Sequence, residues 1–142
     1  YMSAGTGVRH SEFNPSDTDQ VHLLQIWLLP NVKNEEPRYE TKDLTADEKD
    51  GKLALFLSHD GRGDSMRIKS NADIYAATLD GDQSIETVLE DGHGAWIQVA
   101  RGEVTVNGQA LRRGDGLAVQ KGGRIEFTKG VDAEFIYFDM WG

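Results

Sequence analysis

Val104-Thr105-Val106-Asn107-Gly108 is the stretch on which the fold turns. Val104 and Val106 alternate with a polar residue, the period of a half-buried strand. Asn107 and Gly108 both tolerate positive φ, as a type I′ hairpin turn needs. The stretch therefore reads as one arm of a β-hairpin. The same grammar extends in both directions. Upstream lie Leu53–Leu57, Ile74–Leu79, Ile85–Leu89 and Ala95–Ala100; downstream lie Leu117–Val119, Ile125–Phe127 and Phe135–Phe138. Gly114-Asp115-Gly116 and Lys121-Gly122-Gly123 supply further turns. Short strands at about ten-residue spacing with turn signals between them predict an all-β sandwich or barrel for residues 51–142.

Residues 1–30 are Gly-rich and then apolar, and Val21 to Leu29 predicts another strand, apolar on both faces. Residues 31–50 carry four basic side chains (Lys33, Arg38, Lys42, Lys49), seven acidic ones, Pro30 before them and Pro37 within, and read as a solvated connector. A short helix within 42–50 is compatible with its composition. The opening Tyr1-Met2-Ser3-Ala4-Gly5-Thr6-Gly7 reads as the interior of a longer chain.

With 38% hydrophobic residues the 142-residue chain can bury a core. It has no cysteine, which excludes a disulfide frame and a thiolate metal site and fits a reducing cytoplasm. No apolar run approaches the ~20 residues of a membrane helix. The net charge of -9, from 24 acids against 15 bases, repels phosphate backbones and disfavours direct nucleic-acid binding.

Four histidines are available: His10, His22, His59 and His93. In Val8-Arg9-His10-Ser11-Glu12-Phe13, His10 and Glu12 are two apart, which on a strand turns both side chains to one face. An imidazole and a carboxylate together suit a divalent first-row metal. Alone, the pair is a common surface feature, and a tight centre needs further ligands. His22, on the next strand, could approach as a third ligand or as a donor to one, but reads better as a histidine satisfied within or beside a packed sheet. His59, in Ser58-His59-Asp60-Gly61-Arg62-Gly63-Asp64, and His93, in Asp91-Gly92-His93-Gly94, read as exposed loop residues. Ser58, His59 and Asp60 are adjacent and cannot make a catalytic triad. Gly5-Thr6-Gly7 lacks the following Gly-Lys-Ser/Thr of a phosphate loop.

Met2 through Asn14, Met-Ser-Ala-Gly-Thr-Gly-Val-Arg-His-Ser-Glu-Phe-Asn, closely resembles the signature of the pirin family around its second metal motif. His22 to Pro30 looks like the strand that closes the first barrel of that family. Pro37-Arg38-Tyr39-Glu40 is similar to the inter-domain segment of its bacterial quercetinase-like members. Trp96 to Val99, Gly102 to Gly108 and Gly114 to Val119 look like their second cupin.

The resemblance implies an RmlC-like jelly roll, a cupin-type β-barrel: the C-terminal half of a bicupin plus the last strands of the first cupin. Residues 1–30 would end the N-terminal cupin, 31–50 would link, and 51–142 would form a degenerate, metal-free second cupin. His10 carries over as the third histidine ligand and Glu12 as the carboxylate ligand of a divalent metal (iron, nickel, copper, manganese or zinc). The family's upstream His-x-His motif has no counterpart here. A quercetin 2,3-dioxygenase reading makes Glu12 the general base for a flavonol, with Phe13 and Trp27 as pocket walls. The animal relative suggests instead a non-catalytic scaffold or transcription cofactor. Strands without sheet partners in residues 1–30 would leave edges able to pair in a homodimer or domain swap.

Overall fold

A computed structural model describes residues 1–142. It is almost wholly β. Strands β3 (Ala54–Ser58), β4 (Met66–Arg67), β5 (Ala72–Leu79), β6 (Ile85–Leu89), β7 (His93–Val106), β8 (Gln109–Arg112), β9 (Gly116–Val119) and β10 (Gly123–Trp141) form one sheet. Its order is β4-β3-β5-β10-β7-β8, with β6 added to β10 and β9 to β7. All pairings are antiparallel except that of β3 with β4. Two-residue strands β1 (Met2–Ser3) and β2 (Arg38–Tyr39) pair separately.

Two glycines let the sheet wrap. β7 and β10 are each long enough to serve both halves of the barrel. Near Val131 their ladder shifts register, on either side of the pair Val131 and Glu103. Gly102 lies at φ +65°, and a Cβ there would stand 2.2 Å from the carbonyl oxygen of Val131. A Cβ on Gly130 would stand 2.3 Å from the carbonyl oxygen of Leu79. The backbones therefore approach at this corner more closely than any side chain permits, and both strands bend there.

Alternation along the strands sorts the side chains. Phe135 and Tyr137 of β10, Ala95, Ile97 and Val99 of β7, and Ala77 and Leu79 of β5 are buried in the main core with Phe127 and Ile125. Phe127 and Phe135 stack with ring centroids 4.7 Å apart. The opposite face of β5 and β10 offers Ile74 and Phe138 to a smaller cluster with Leu57, Ile68 and Ala72, against which Tyr1 and Leu28 pack. The N-terminal segment is thus laid over the outside of the sheet. Hydrogen bonds from Asn31 to Lys69 and from Ser70 to Leu29 hold it there.

The strand expected over Val21–Leu29 does not form. Residues 4–37 contain no strand or helix, and Val21, Leu23, Ile26, Trp27 and Leu29 are all exposed. Strand propensity needs a ladder partner to be realised, and this segment has none. The helix considered within 42–50 is present as α1 (Ala46–Lys49), started by a capping box in which Thr45 and Glu48 bond each other's backbone N–H.

Candidate functional site

The structure brings His10 and Glu12 together, but not through a strand. Nε2 of His10 lies 3.8 Å from Oε1 of Glu12, and their side chains are 41% and 50% exposed. That spacing suits two ligands of one ion at about 2.1 Å each. No third His, Asp or Glu joins them; the one such group of three in the chain is His59, Asp60 and Asp73. His22 is exposed rather than packed against a sheet, because the strand expected to carry it does not form. Two half-exposed ligands do not fit a closed metal centre, so the 142 residues alone do not build one.

A second polar cluster sits at one end of the barrel. On the inward faces the core continues outward as Phe135, Tyr137, Asp139 and Trp141 on β10, and as Ala77, Tyr75 and Asp73 on β5. His93 opens β7 opposite Trp141. It is not the exposed turn residue that its Gly neighbours suggest. Its side chain is only 20% exposed, its Nδ1 lies 2.6 Å from Oδ1 of Asp139, and its ring stacks on Trp141 at 5.0 Å.

His59 approaches from the loop after β3. Buried Ser58 and Ser65 share a hydrogen bond of 2.6 Å across the base of that loop, and Gly61 N–H donates to Ser58 Oγ. Gly61 and Gly63 take positive φ and tighten it. The loop thereby aims His59, Asp60 and Arg62 at the barrel mouth. His59 remains substantially exposed, as expected, but Nδ1 lies 2.9 Å from Oδ1 of Asp73 and its ring meets Trp141 edge-on at 4.9 Å.

Arg62 ties the cluster together. It donates to Oδ2 of Asp73 at 2.5 Å, to Oδ1 of Asp60 at 3.0 Å and to the Tyr75 hydroxyl at 3.3 Å. Burial alone would raise the Asp73 carboxyl, but hydrogen bonds from Arg62 and His59 hold it below its ordinary range. Burial opposes the same effect at Asp60, where Arg62 brings the value down to about 2. The bond to Asp73 raises Arg62 in return. Burial, then neighbouring Asp139, pushes the Tyr137 phenol well above its usual value, so it is a neutral O–H at all ordinary pH. These residues line an open cavity of about 400 Å³.

A wrapped sheet whose interior turns from aromatic to polar at one open end defines a cupin-type β-barrel. The comparisons specify it. Residues 55–140 match the quercetinase C-terminal cupin domain, and residues 1–28 match the pirin family. The chain belongs to the pirin family. It is 40% identical to a quercetin 2,3-dioxygenase of Escherichia coli K12, over 98% of this chain and 59% of that relative. It is 34% identical to a putative quercetin 2,3-dioxygenase of Pseudomonas aeruginosa, over 98% of this chain and 60% of that protein. The crystal structure of the bacterial pirin YhhW from Escherichia coli in complex with nickel(II) superposes with a TM-score of 0.88 at 37% identity, covering 98% of this chain and 59% of that one. The chain thus spans about three-fifths of the length of the relatives it matches.

Proposed function

We propose that this chain contributes two ligands, His10 and Glu12, to the divalent metal of a quercetin 2,3-dioxygenase-type site whose remaining ligands lie outside these 142 residues. The observation that carries the reading is the 3.8 Å approach of His10 Nε2 to Glu12 Oε1 within the segment matched to the pirin family. Supporting it, Glu12 has no other polar partner, so its carboxylate is open to a ligand. The nickel(II) in the YhhW crystal structure and the names of the Escherichia coli and Pseudomonas relatives point to a divalent metal and a flavonol-type substrate. When bound, the metal would supply Lewis-acid activation of the flavonol. Glu12 would accept the proton of the flavonol hydroxyl at a carboxylate oxygen. Phe13 and Trp27, exposed at 81% and 88%, would wall the substrate once covered.

The test is a chimera. The N-terminal part of the Escherichia coli quercetin 2,3-dioxygenase that has no match in this chain is fused ahead of Tyr1, loaded with nickel(II) and assayed for oxygen uptake with quercetin. Turnover that His10→Ala and Glu12→Gln each reduce by about a hundredfold or more supports the proposal. Turnover indifferent to both substitutions overturns it.

A second reading, a non-catalytic scaffold, draws on the run of exposed apolar side chains Val21, Leu23, Leu24, Ile26, Trp27 and Leu29. It has a homodimer or a domain swap as its simplest form, and predicts self-association that survives both substitutions.

A further inference from the structure

The cavity at the barrel mouth is built from residues that the dioxygenase reading does not use. Four carboxylates (Asp60, Asp73, Glu90 and Asp139) line it against one guanidinium and the imidazoles of His59 and His93. The lining is net negative in either protonation state of the two histidines. Asp73 and Asp139 each hold a histidine Nδ1 through Oδ1, but Asp139 has no second partner, whereas the other oxygen of Asp73 is taken by Arg62.

A second observation is independent of the acids. Tyr137 is 2% exposed, and its hydroxyl has no hydrogen-bond partner in the protein. No wholly buried side-chain polar atom in the chain lacks a partner, so this hydroxyl opens into the cavity that Tyr137 lines. A polar group at that depth is stable when something in the cavity bonds to it.

We propose that the barrel mouth is a second ligand site, for a small organic cation bearing N–H donors, of the protonated amine or guanidine class. Unused capacity here is chiefly that of an acceptor: the free oxygen of Asp139, the phenol oxygen of Tyr137 and the Nε2 atoms of His59 and His93. Tyr75 and Trp141 line the cavity beside these acceptors and give the carbon skeleton apolar contact. Arg62 shows the chemistry at work, since its N–H groups already satisfy Asp73, Asp60 and Tyr75 along one side. It also decides against a metal ion. Of the three residues with ligand spacing, His59, Asp60 and Asp73, both carboxylates are bridged by Arg62, so an ion would have to displace a guanidinium held at 2.5 and 3.0 Å. The ligand takes the other side, with its cation on Asp139 and a hydrogen bond to Tyr137.

The test is an NMR titration of the 142-residue chain at physiological salt, following the Trp141 indole N–H and the His93 ring. The probes are methylguanidinium and butylammonium, with butyrate and nickel(II) as the opposing arms. Saturable shifts are expected with the two cations and none with butyrate. Asp139→Asn should weaken binding roughly tenfold or more, through loss of a charge-assisted hydrogen bond. Tyr137→Phe, which keeps the ring in the core, should weaken it by about threefold to tenfold. Should Asp139→Asn lose its dispersed spectrum, Tyr137→Phe alone decides. Cation binding that the informative variant leaves unchanged, shifts only with nickel(II), or no saturable shift with any probe overturns the proposal. None of these outcomes depends on quercetin turnover, so this site and the His10–Glu12 reading stand or fall separately.

Discussion

Asp73 on β5 and Asp139 on β10 stand directly opposite one another in the sheet, and each bonds the Nδ1 of a different histidine, His59 and His93. An ionised carboxylate only accepts, so both imidazoles donate Nδ1–H and turn Nε2 away. Two like charges side by side at the end of a barrel would repel. Arg62 on Asp73 relieves that repulsion, and so the loop after β3 is bound to the sheet by charge as well as by Ser58 and Ser65.

The pairing makes stability depend on pH in a defined direction. Asp73 titrates below its ordinary 3.8 in the fold. Its contribution is therefore complete above the unfolded value and disappears as pH falls through the lower folded value. Asp73→Asn removes the buried partner of Arg62, which stays 42% exposed and keeps Asp60, and should destabilise by about 1–2 kcal/mol at pH 7. Urea unfolding of the two proteins should show this gap narrowing below pH 4. A gap that stays constant down to pH 2 would assign Asp73 no electrostatic role.

Two glycines with similar backbone angles should respond very differently to alanine. Gly102 at φ +65° faces the carbonyl oxygens of Val131 and Asp132 at 2.2 and 2.3 Å from its ideal Cβ, whereas Gly108 at φ +81° has open space around it. Gly108→Ala carries only the left-handed penalty, about 1 kcal/mol. Gly102→Ala adds a collision with two backbones and should cost about 3 kcal/mol or more. Thermal melts of the two variants side by side check the difference, and equal melting temperatures would refute the corner as the point where the sheet bends.

Much of the barrel is legible in the chain, and the parts that are not have physical reasons. The Asn107-Gly108 turn appears where its residue types predict, with Val106 pairing Gln109 across it. Ala95–Ala100 and Val104–Val106 read as two strands but are one, β7, because Gly102 bends the strand rather than ending it. Ile125–Phe127 and Phe135–Phe138 are likewise parts of β10, bent near Gly130. β8 escapes notice because Leu111 is its single buried residue. His10 and Glu12 are legible as a pair from spacing and family resemblance, and the structure adds their separation. The barrel mouth is not legible. Asp73, Asp139 and His93 sit at strand ends, where polar residues and glycines look like loop, and their pairing links positions 14 and 46 residues apart. A polar residue in phase with an apolar inward face, as Asp139 is with Phe135 and Tyr137, is the signal that could have found it.

Trp27 and Phe135 separate apolar residues that fold this chain from those that do not. Phe135 is fully buried and stacked on Phe127, while Trp27 is 88% exposed. Phe135→Ala should cost about 3–5 kcal/mol. Trp27→Ser should change stability by less than about 0.5 kcal/mol despite removing the larger ring. Chemical denaturation of both variants tests this, and a marked loss on Trp27→Ser would mean that the segment is covered in solution.

The last expectation concerns metal in the chain by itself. His10 and Glu12, the two ligands proposed, are half exposed, with no third His, Asp or Glu within reach. Chelation by two ligands that water competes for is weak, and firm retention calls for three or four. After incubation with nickel(II) and passage over a chelating resin, the 142-residue chain should retain far less than one metal per molecule, and His10→Ala should retain no less than the parent. Stoichiometric retention that His10→Ala abolishes would place further ligands within reach of His10, from a second copy of the chain. Size-exclusion chromatography with and without nickel(II) would then show a metal-dependent dimer, and the exposed segment around Val21–Leu29 would be the surface through which the copies meet.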